Sequence, residues 1–483
     1  MKKLLLLILS LGALMSHSQQ WVLTQPYFDG AVLIGGDCNN EGNYIVGACN
    51  DIGEGCRDAY AIYVDNNGEF VKKTFSFDGY KAHFCSAICL NDGNAFVAGV
   101  KGGTMNDHHY DTLWIAVMTP GLEIVEERNY PIIEPYITWT TDIYLDFNNY
   151  GDIIILADVS KRAYPWLTDG VYAVFRCDTH GNVLRSKYFA EGHGVNGARP
   201  TGIIRVPDSD MMMLLGKGFF VTNCHSICYI DNDLEIVDVY PLPWLEDVWN
   251  YSDCWKENGH FLMSSVTHHY GASGNPYYAA VFEVDDRGNY VDTLVYDRAD
   301  TSDYTAQFGS MAYVNDDEIY IATYWENGLN DLPSDAVICL IDKDLNLIGT
   351  KRLRADNLKI RIMHCCKTSD GGCLVYGQGY VWKLVPEGFV IPWTLNDYTE
   401  VSPSHHAYPN PTYDNINVVL DYNDDHDVII CVSDVEGRKY FERRFGRGRG
   451  LLTMDVSKLD NGIYFYEVIA NGHCIQKEKF IKN

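Results

Sequence analysis

From about residue 30 to residue 385 the chain reads as short apolar runs of strand length, broken by Asp/Asn/Gly clusters. The runs come in a fixed order: a short strand, a tight turn, a second apolar strand, a variable loop, a third strand, a second tight turn and a fourth strand. Residues 86–130 give one complete unit: "SAICL", "NDG", "NAFVAGV", a loop to Thr112, "LWIAVM", "TPG" and "LEIVEERNY". The second strands of successive units read "NYIVGA", "NAFVAG", "DIIILA", "MMMLLG", "HFLMSS", "EIYIAT" and "CLVYGQ". Their preceding turns are anchored near Gly42, Gly93, Gly151, Ser209, Gly259, Asp317 and Gly371, 50 to 58 residues apart. A fixed period of this length is the mark of a repeat architecture.

Four short antiparallel strands per unit, repeated seven times, predict an all-β fold: a seven-bladed β-propeller over residues 20–395. A single blade leaves both faces exposed, and stacking the blades in a ring buries them. The ring must close, and "QWVLTQPY" at 20–27 is an orphan strand expected to complete the last blade, with "FVIPWTL" at 389–395 competing for that role.

The repeat also predicts which face carries function. The first–second and third–fourth turns are short and alike and share one face. The second–third loops and the links between units are long, differ in every copy and lie on the other face, where binding residues are usually carried. They hold the candidate ligand-binding residues Trp139, Trp166, Trp249, Tyr251, Trp325, His108 and His268, and His83 is assigned to the same loops. Aromatic rings among carboxylates suit a glycan or a peptide, because rings supply apolar faces and acids supply acceptors. The bland alternative is rings that pack within their own loops.

After Leu395 the pattern stops. "NDYTEVSPSHH" reads as a polar linker over 396–405, and a second set of alternating runs follows: "NINVVLDY", "DVIICVSD", "RKYFERRF", "LLTMDVS", "GIYFYEVIA" and "HCIQKEKFIK". These predict a small Ig-like β-sandwich over 406–483. The blocks "YPNPTYDNINV", "VSDVEGRKY", "MDVSKLDNGIYFYEV" and "IQKEKFIKN" resemble, in order, the type A C-terminal sorting domain of type IX secretion. The family's Pro-Asn-Pro step falls on Pro409, Asn410 and Pro411, and its Asp-x-x-Gly turn on Asp434 and Gly437. Its Leu-x-x-Gly-x-Tyr block falls on Leu459, Gly462 and Tyr464, and its basic last strand on Lys477, Lys479 and Lys482. The resemblance implies export, passage across the outer membrane by the type IX machinery, and then release or surface attachment. Gly437 and Gly462 are expected to permit tight turns. In the first region, "KTSDGGCLVYGQ" at Lys367 and "NDGNAFVAG" at Asn91 resemble the Asp-Gly-Gly step of secreted propellers of the Bacteroidetes type.

Composition sharpens this picture. The chain has 483 residues with 37 Lys+Arg and 65 Asp+Glu, a formal charge of −28. Lys2 and Lys3 are the only charges in the first twenty residues, and the segment from Ser404 holds ten basic and twelve acidic residues. The whole excess therefore falls on the region between. Such a surface repels phosphate backbones and anionic lipid, so nucleic acid is not an expected partner. Residues 1–18 read as a signal peptide: Lys2 and Lys3, an apolar run from Leu4 to Met15, then Ser16 and Ser18. No later stretch approaches the length of a bilayer-spanning helix. Of the 15 Cys, an odd number, Cys38, Cys89, Cys254 and Cys366 each fall four or five residues before an anchor turn and are expected as small core residues. Cys49 with Cys56, and Cys431 with Cys474, are candidate bridges.

Reactive motifs are few. The sequence has no G-x-S-x-G, H-E-x-x-H or P-loop. His-His at 108–109, 268–269 and 405–406 places neighbouring rings on opposite sides of an extended chain, which does not suit one metal ion, and no metal or cofactor is expected. The Asp-x-x-Gly turns at Asp65, Asp178 and Asp285 lack the length and distal Glu of an EF-hand, and hairpin geometry accounts for them. "RRFGRGRG" at Arg443 reads as an exposed loop between strands. The expectation is a secreted or cell-surface propeller that binds an extracellular ligand. The alternative is a glycoside hydrolase or lyase using loop carboxylates.

Overall fold

The computed structural model describes residues 21–24, 31–49, 58–65, 68–77, 80–102, 110–132, 136–137, 143–161, 170–189, 199–217, 225–243, 249–255, 259–268, 277–296, 303–305, 310–313, 317–327, 335–354, 363–377, 380–384, 407–408, 412–413, 415–421, 428–435, 437–445, 449–470 and 473–482. The described residues are all-β, without an α-helix. The expected signal peptide, the linker, "FVIPWTL" and the Pro409-Asn410-Pro411 step lie outside them.

Seven antiparallel sheets are formed by the residues up to 384, spanning 31–75, 81–131, 136–189, 199–242, 249–296, 303–354 and 363–384. Five of them carry four strands. In the third and sixth the first strand is broken into two pieces that both pair with the second, which gives five. In the seventh, the strands Met363–Lys367, Cys373–Gly377 and Tyr380–Leu384 supply three places, and the fourth is taken by the first described strand of the chain, Trp21–Thr24. It runs antiparallel to Tyr380–Leu384 with Trp21 opposite Lys383 and Thr24 opposite Tyr380.

Apolar cores form between consecutive sheets because a strand buried on both sides presents alternate residues to each neighbour. In the second strand of the third sheet, Ile153, Ile155 and Ala157 face the second sheet, whereas Ile154 and Leu156 face the fourth. The same division continues around the molecule, and one cluster joins Leu340 of the sixth sheet, Trp382 of the seventh and Ile62 of the first. The first strands of successive sheets also lie against one another in turn, and that of the seventh touches that of the first.

Turn chemistry fixes each hairpin. Asp178 Oδ1 accepts the N–H groups of His180 at 3.0 Å and Asn182 at 2.8 Å, and Asp231, Asp285 and Asp342 make the equivalent pair. Their carboxylates are thereby consumed by the turn, as hairpin geometry requires. Burial works to raise the Asp178 and Asp285 carboxyls, but the hydrogen bonds from Asn182 and Asn289 outweigh it and hold both below the usual range.

Among residues 407–482, two sheets enclose a separate core. One contains Ala407–Tyr408, Asn415–Asp421 and Arg449–Asp455. The other has the order Lys439–Phe445, Val428–Asp434, Gly462–Ala470, His473–Lys482. Ile416, Val418 and Met454 from the first meet Ile430, Val432, Tyr466, Val468 and Phe480 from the second. Cys431 and Cys474 lie on strands with Gly462–Ala470 between them, about 10 Å apart at the 4.7–4.9 Å strand spacing. That is beyond disulfide reach, and both thiols are free, which corrects the expected bridge. Cys56 and the Cys49 side chain lie outside the described residues.

Candidate functional site

Two regions bear on function: the first strands of the seven sheets, which lie against one another, and the pair of sheets formed by residues 407–482. In four sheets the first strand carries a bulge eight residues before its anchor turn, at Ile34, Cys85, Thr201 and Tyr251. A bulge inserts one unpaired residue and re-aims the side chains beside it, and bulges are frequent next to binding sites. Tyr251, a candidate from the sequence, is the bulged residue of the fifth sheet.

At the short-turn end, Asp37 and Asp146 occupy equivalent places on the first strands of the first and third sheets. Asp37 Oδ2 accepts the Cys89 N–H of the second sheet at 2.8 Å, and Asp146 Oδ2 accepts the Arg205 N–H of the fourth at 2.7 Å. Each also accepts the N–H of its own next residue. Burial pushes the Asp146 carboxyl up to about 6 and raises that of Asp37, against the backbone hydrogen bonds. These carboxylates tie neighbouring sheets together. Cys38 and Cys89 lie half-buried beside Asp37 and Cys366 is buried; burial raises all three thiols, Cys38 to about 12, so they stay protonated and inert. The expectation of small core residues therefore fits Cys366 better than Cys38 or Cys89, and the Cys254 side chain is outside the described residues.

At the opposite end, the first strand of the second sheet, Lys81–Cys89, begins with a polar cluster. His83 was expected in a loop, but it lies inside this strand and is buried. Its Nε2 shares a hydrogen bond with the Tyr110 hydroxyl, and the two rings meet edge-on with centroids 4.8 Å apart. Burial, with help from the Lys81 charge, lowers the His83 imidazole to about 4, so it is neutral at physiological pH. Tyr110 immediately follows residues 103–109, the segment that holds His108. Sequence reasoning missed Lys81 and Tyr110. The only available signal was their position at the two edges of a long link.

Of the other sequence candidates, His108, Trp139 and Trp166 lie outside the described residues. Trp249, Tyr251, His268 and Trp325 lie on described strands, with side chains that are not described. Trp249 and Trp325 both fall at strand ends away from the short turns. Among the described residues there is no metal-holding cluster of His, Cys, Asp and Glu.

In the C-terminal sandwich, Asp434 Oδ1 accepts the Arg438 N–H at 2.9 Å, Gly437 N–H donates to the Asp434 carbonyl at 3.0 Å, and Gly437 has φ +80°, a conformation that favours glycine. Gly462 instead opens the strand Gly462–Ala470 with an ordinary backbone. The expected glycine requirement does not arise there, and an added Cβ would approach nothing closer than 3.6 Å. Tyr464 donates to the Asp460 carbonyl at 2.9 Å and stacks on Phe480, which packs Leu459, Tyr464 and the last strand into one core. His473–Lys482 is an edge strand. Lys477 and Lys479 are exposed on it, Lys477 pairs with Glu467 at 2.5 Å, and Lys482 is buried.

Residues 406–483 match the family model described as the secretion system C-terminal sorting domain. This agrees with the type IX resemblance and indicates export to the cell surface or beyond, handled by that machinery. No curated protein matches the chain. Solved structures that it resembles include the luciferin-regenerating enzyme, at 11% identity over 77% of this chain and 97% of that one, with a TM-score of 0.39. A post-proline cleaving enzyme from Rickettsia typhi matches at 9% identity over 91% of this chain and only 58% of that one, with a TM-score of 0.40. The polysaccharide lyase Uly1 matches at 10% identity over 75% and 98%, with a TM-score of 0.39. Likenesses this distant carry no argument about activity. No helix among the described residues is long and apolar enough to cross a membrane.

Proposed function

We propose that this protein is a secreted or cell-surface seven-bladed β-propeller, residues 20–395, that binds an extracellular glycan or peptide on its long-loop face. After removal of a signal peptide at 1–18, it is exported through an Ig-like sorting domain at 406–483 that follows a linker at 396–405. Closure is supported by the seventh sheet, whose fourth place is filled by Trp21–Thr24 from the start of the chain. The export route is supported by the sorting-domain match. Binding on the long-loop face is supported by the division of labour between the ends of the sheets. At the short-turn end the described polar groups of Asp37, Asp146, Asp178, Asp231, Asp285 and Asp342 are spent on backbone N–H groups. The opposite end presents Lys81, His83 and Tyr110 beside the variable loops.

The observation that carries the export half of this reading is the match over 406–483. Deleting residues 404–483 is expected to strand the protein in the periplasm, as read by fractionation; normal surface delivery without them would refute it. For the ligand, a glycan array probed with residues 20–395 should return binders if the loop face is a binding surface.

A further inference from the structure

We propose that Tyr413, Val435, Ile463 and Ile481 form the surface by which the type IX machinery holds this chain, and that the partner is a protein groove with an apolar floor and an acidic border. This rests on the export reading of residues 406–483 and names the part of that segment that is recognised.

The placement of exposed apolar side chains carries the argument. Among the described residues of 407–482, the exposed large apolar side chains are Tyr413, Val435, Tyr440, Ile463 and Ile481. All of them fall at one end of the four-stranded sheet. Ile463 lies directly opposite Ile481, at 48% and 39% exposure. Asp434 lies opposite Tyr464, so Val435, one residue further on, comes level with Ile463. Thr412 N–H donates to the Ile481 carbonyl at 2.8 Å and Thr412 bridges Lys482, which brings Tyr413 alongside the end of the last strand. Thr412, Tyr464, Phe480 and Lys482 are buried, so their neighbours Tyr413, Ile463 and Ile481 point outward, as strand alternation requires. The result is an apolar row running across the sheet. Tyr440 extends it past the edge, where its ring meets Tyr464 edge-on at 5.4 Å. Single exposed apolar residues are ordinary, and Val71, Val125, Leu184 and Val237 are of that kind, each on a different sheet. A contiguous row marks an interaction surface.

Position and charge say what covers the row. The blocks that match the sorting domain converge on this end: the Asp434–Gly437 turn, the Gly462 and Tyr464 block, the last strand, and Thr412 directly after the Pro409-Asn410-Pro411 step. The export machinery must recognise this segment, and the row is its largest exposed apolar feature among the described residues. Residues two apart on a strand share a face, so Lys477 and Lys479 border the row on the side of Ile481. An acidic border on the partner complements them. Anionic lipid would meet the same lysines, but the whole excess charge of −28 lies in the region before Ser404 and repels such a membrane. An export partner must also bind and then let go. A small row fits that transient contact better than a lasting dimer, which buries roughly 800 Å² per partner.

The test follows the full chain in cells that carry the type IX route, by fractionation and by photo-crosslinking. The chain carrying Ile463→Ser and Ile481→Ser should reach the surface at least tenfold less and collect in the periplasm, with its melting temperature unchanged. Val71→Ser and Val237→Ser together should leave delivery normal. Lys479→Glu should lower delivery severalfold, and delivery indifferent to it overturns the acidic border. Benzoylphenylalanine placed at position 463 should crosslink to a protein of the type IX machinery, and the same group at position 71 should not. Normal delivery of the Ile463→Ser, Ile481→Ser chain overturns the surface; if deleting 404–483 still strands the protein, the sorting reading stands. Delivery that survives the deletion as well overturns both. Should the doubly substituted chain melt lower, the crosslink decides, and its absence overturns the proposal. A crosslink only between copies of this chain overturns it in favour of self-association. Flotation of the wild type with phosphatidylglycerol vesicles, without a crosslink to a protein, overturns it in favour of a lipid surface.

Discussion

Asp146 and His83 are buried groups pulled in opposite directions by the same desolvation. The Asp146 carboxyl titrates at about 6 when folded against an ordinary 3.8, so the folded chain holds its proton more tightly than the unfolded one. That contribution to stability is fully present below about pH 4 and is lost as pH rises through 6. It amounts to about 3 kcal/mol at most, at 1.36 kcal/mol per unit. The His83 imidazole moves from 6.5 to about 4, so its contribution is present above pH 6.5 and lost as pH falls toward 4. The two oppose each other across one window, and the wild-type profile alone conceals both. In Asp146→Asn the acid-side advantage disappears. The melting temperature of the wild type relative to this variant should fall between pH 4 and pH 7, as followed by circular dichroism, whereas a constant difference would mean that Asp146 is not desolvated. None of this was legible in the sequence. Asp146 sits in "YLDFNN" like any strand-end acid, and His83 was read as a loop residue because only the register of its strand reveals its burial.

At the scale of elements, the sequence announced the hairpins clearly, because Asp at the first turn position is both a chemical and a geometric signal. The fourth turn position was less transparent. It alternates Gly68, Leu122, Gly181, Leu234, Gly288, Leu345, and all six have positive φ. Leu in that conformation costs roughly 1 kcal/mol, yet Leu122, Leu234 and Leu345 are buried in the cores between sheets. Where glycine stands, the preceding sheet fills the space: an added Cβ at Gly181 would lie 2.9 Å from Ile115 Cγ2. Sequence patterning expects glycine at such a turn and cannot foresee that a leucine is retained for its side chain. Leu234→Gly should therefore destabilise, losing about 2–4 kcal/mol of core contact while recovering about 1 kcal/mol of backbone strain. Gly181→Ala should cost about 1–2 kcal/mol from strain and the Ile115 contact together. Urea unfolding of both variants checks the pair; a stabilised Leu234→Gly would show that the strain outweighs the packing. The bulges at Ile34, Cys85, Thr201 and Tyr251 were equally invisible, since an inserted residue leaves the alternation of a short strand almost unchanged. The paired blocks of the sorting domain, by contrast, were legible one by one. Only the order of its strands, with Gly462–Ala470 in the middle, was needed to rule out the Cys431–Cys474 bridge.

For the whole molecule, the strand Trp21–Thr24 has a weight out of proportion to its four residues. Every other sheet gets its outer strand from a local hairpin, whereas the seventh takes it from the far end of the chain. Removing residues 19–24 should leave the edge of Tyr380–Leu384 unpaired, and an open strand edge invites association. The truncated protein is expected to melt lower and to self-associate on size-exclusion chromatography; a monomer with unchanged melting would deny the strand its closing role. The same closing pair gives the most direct test of the ring. Leu23 and Val381 face each other across it, and directly opposed residues bring their Cβ atoms to about 4.5–5.5 Å. In a Leu23→Cys, Val381→Cys variant oxidised under mild conditions, peptide mapping by mass spectrometry should find a 23–381 disulfide within single monomers. Monomers without that link, or a link formed only between chains, would contradict a ring closed by its own first strand.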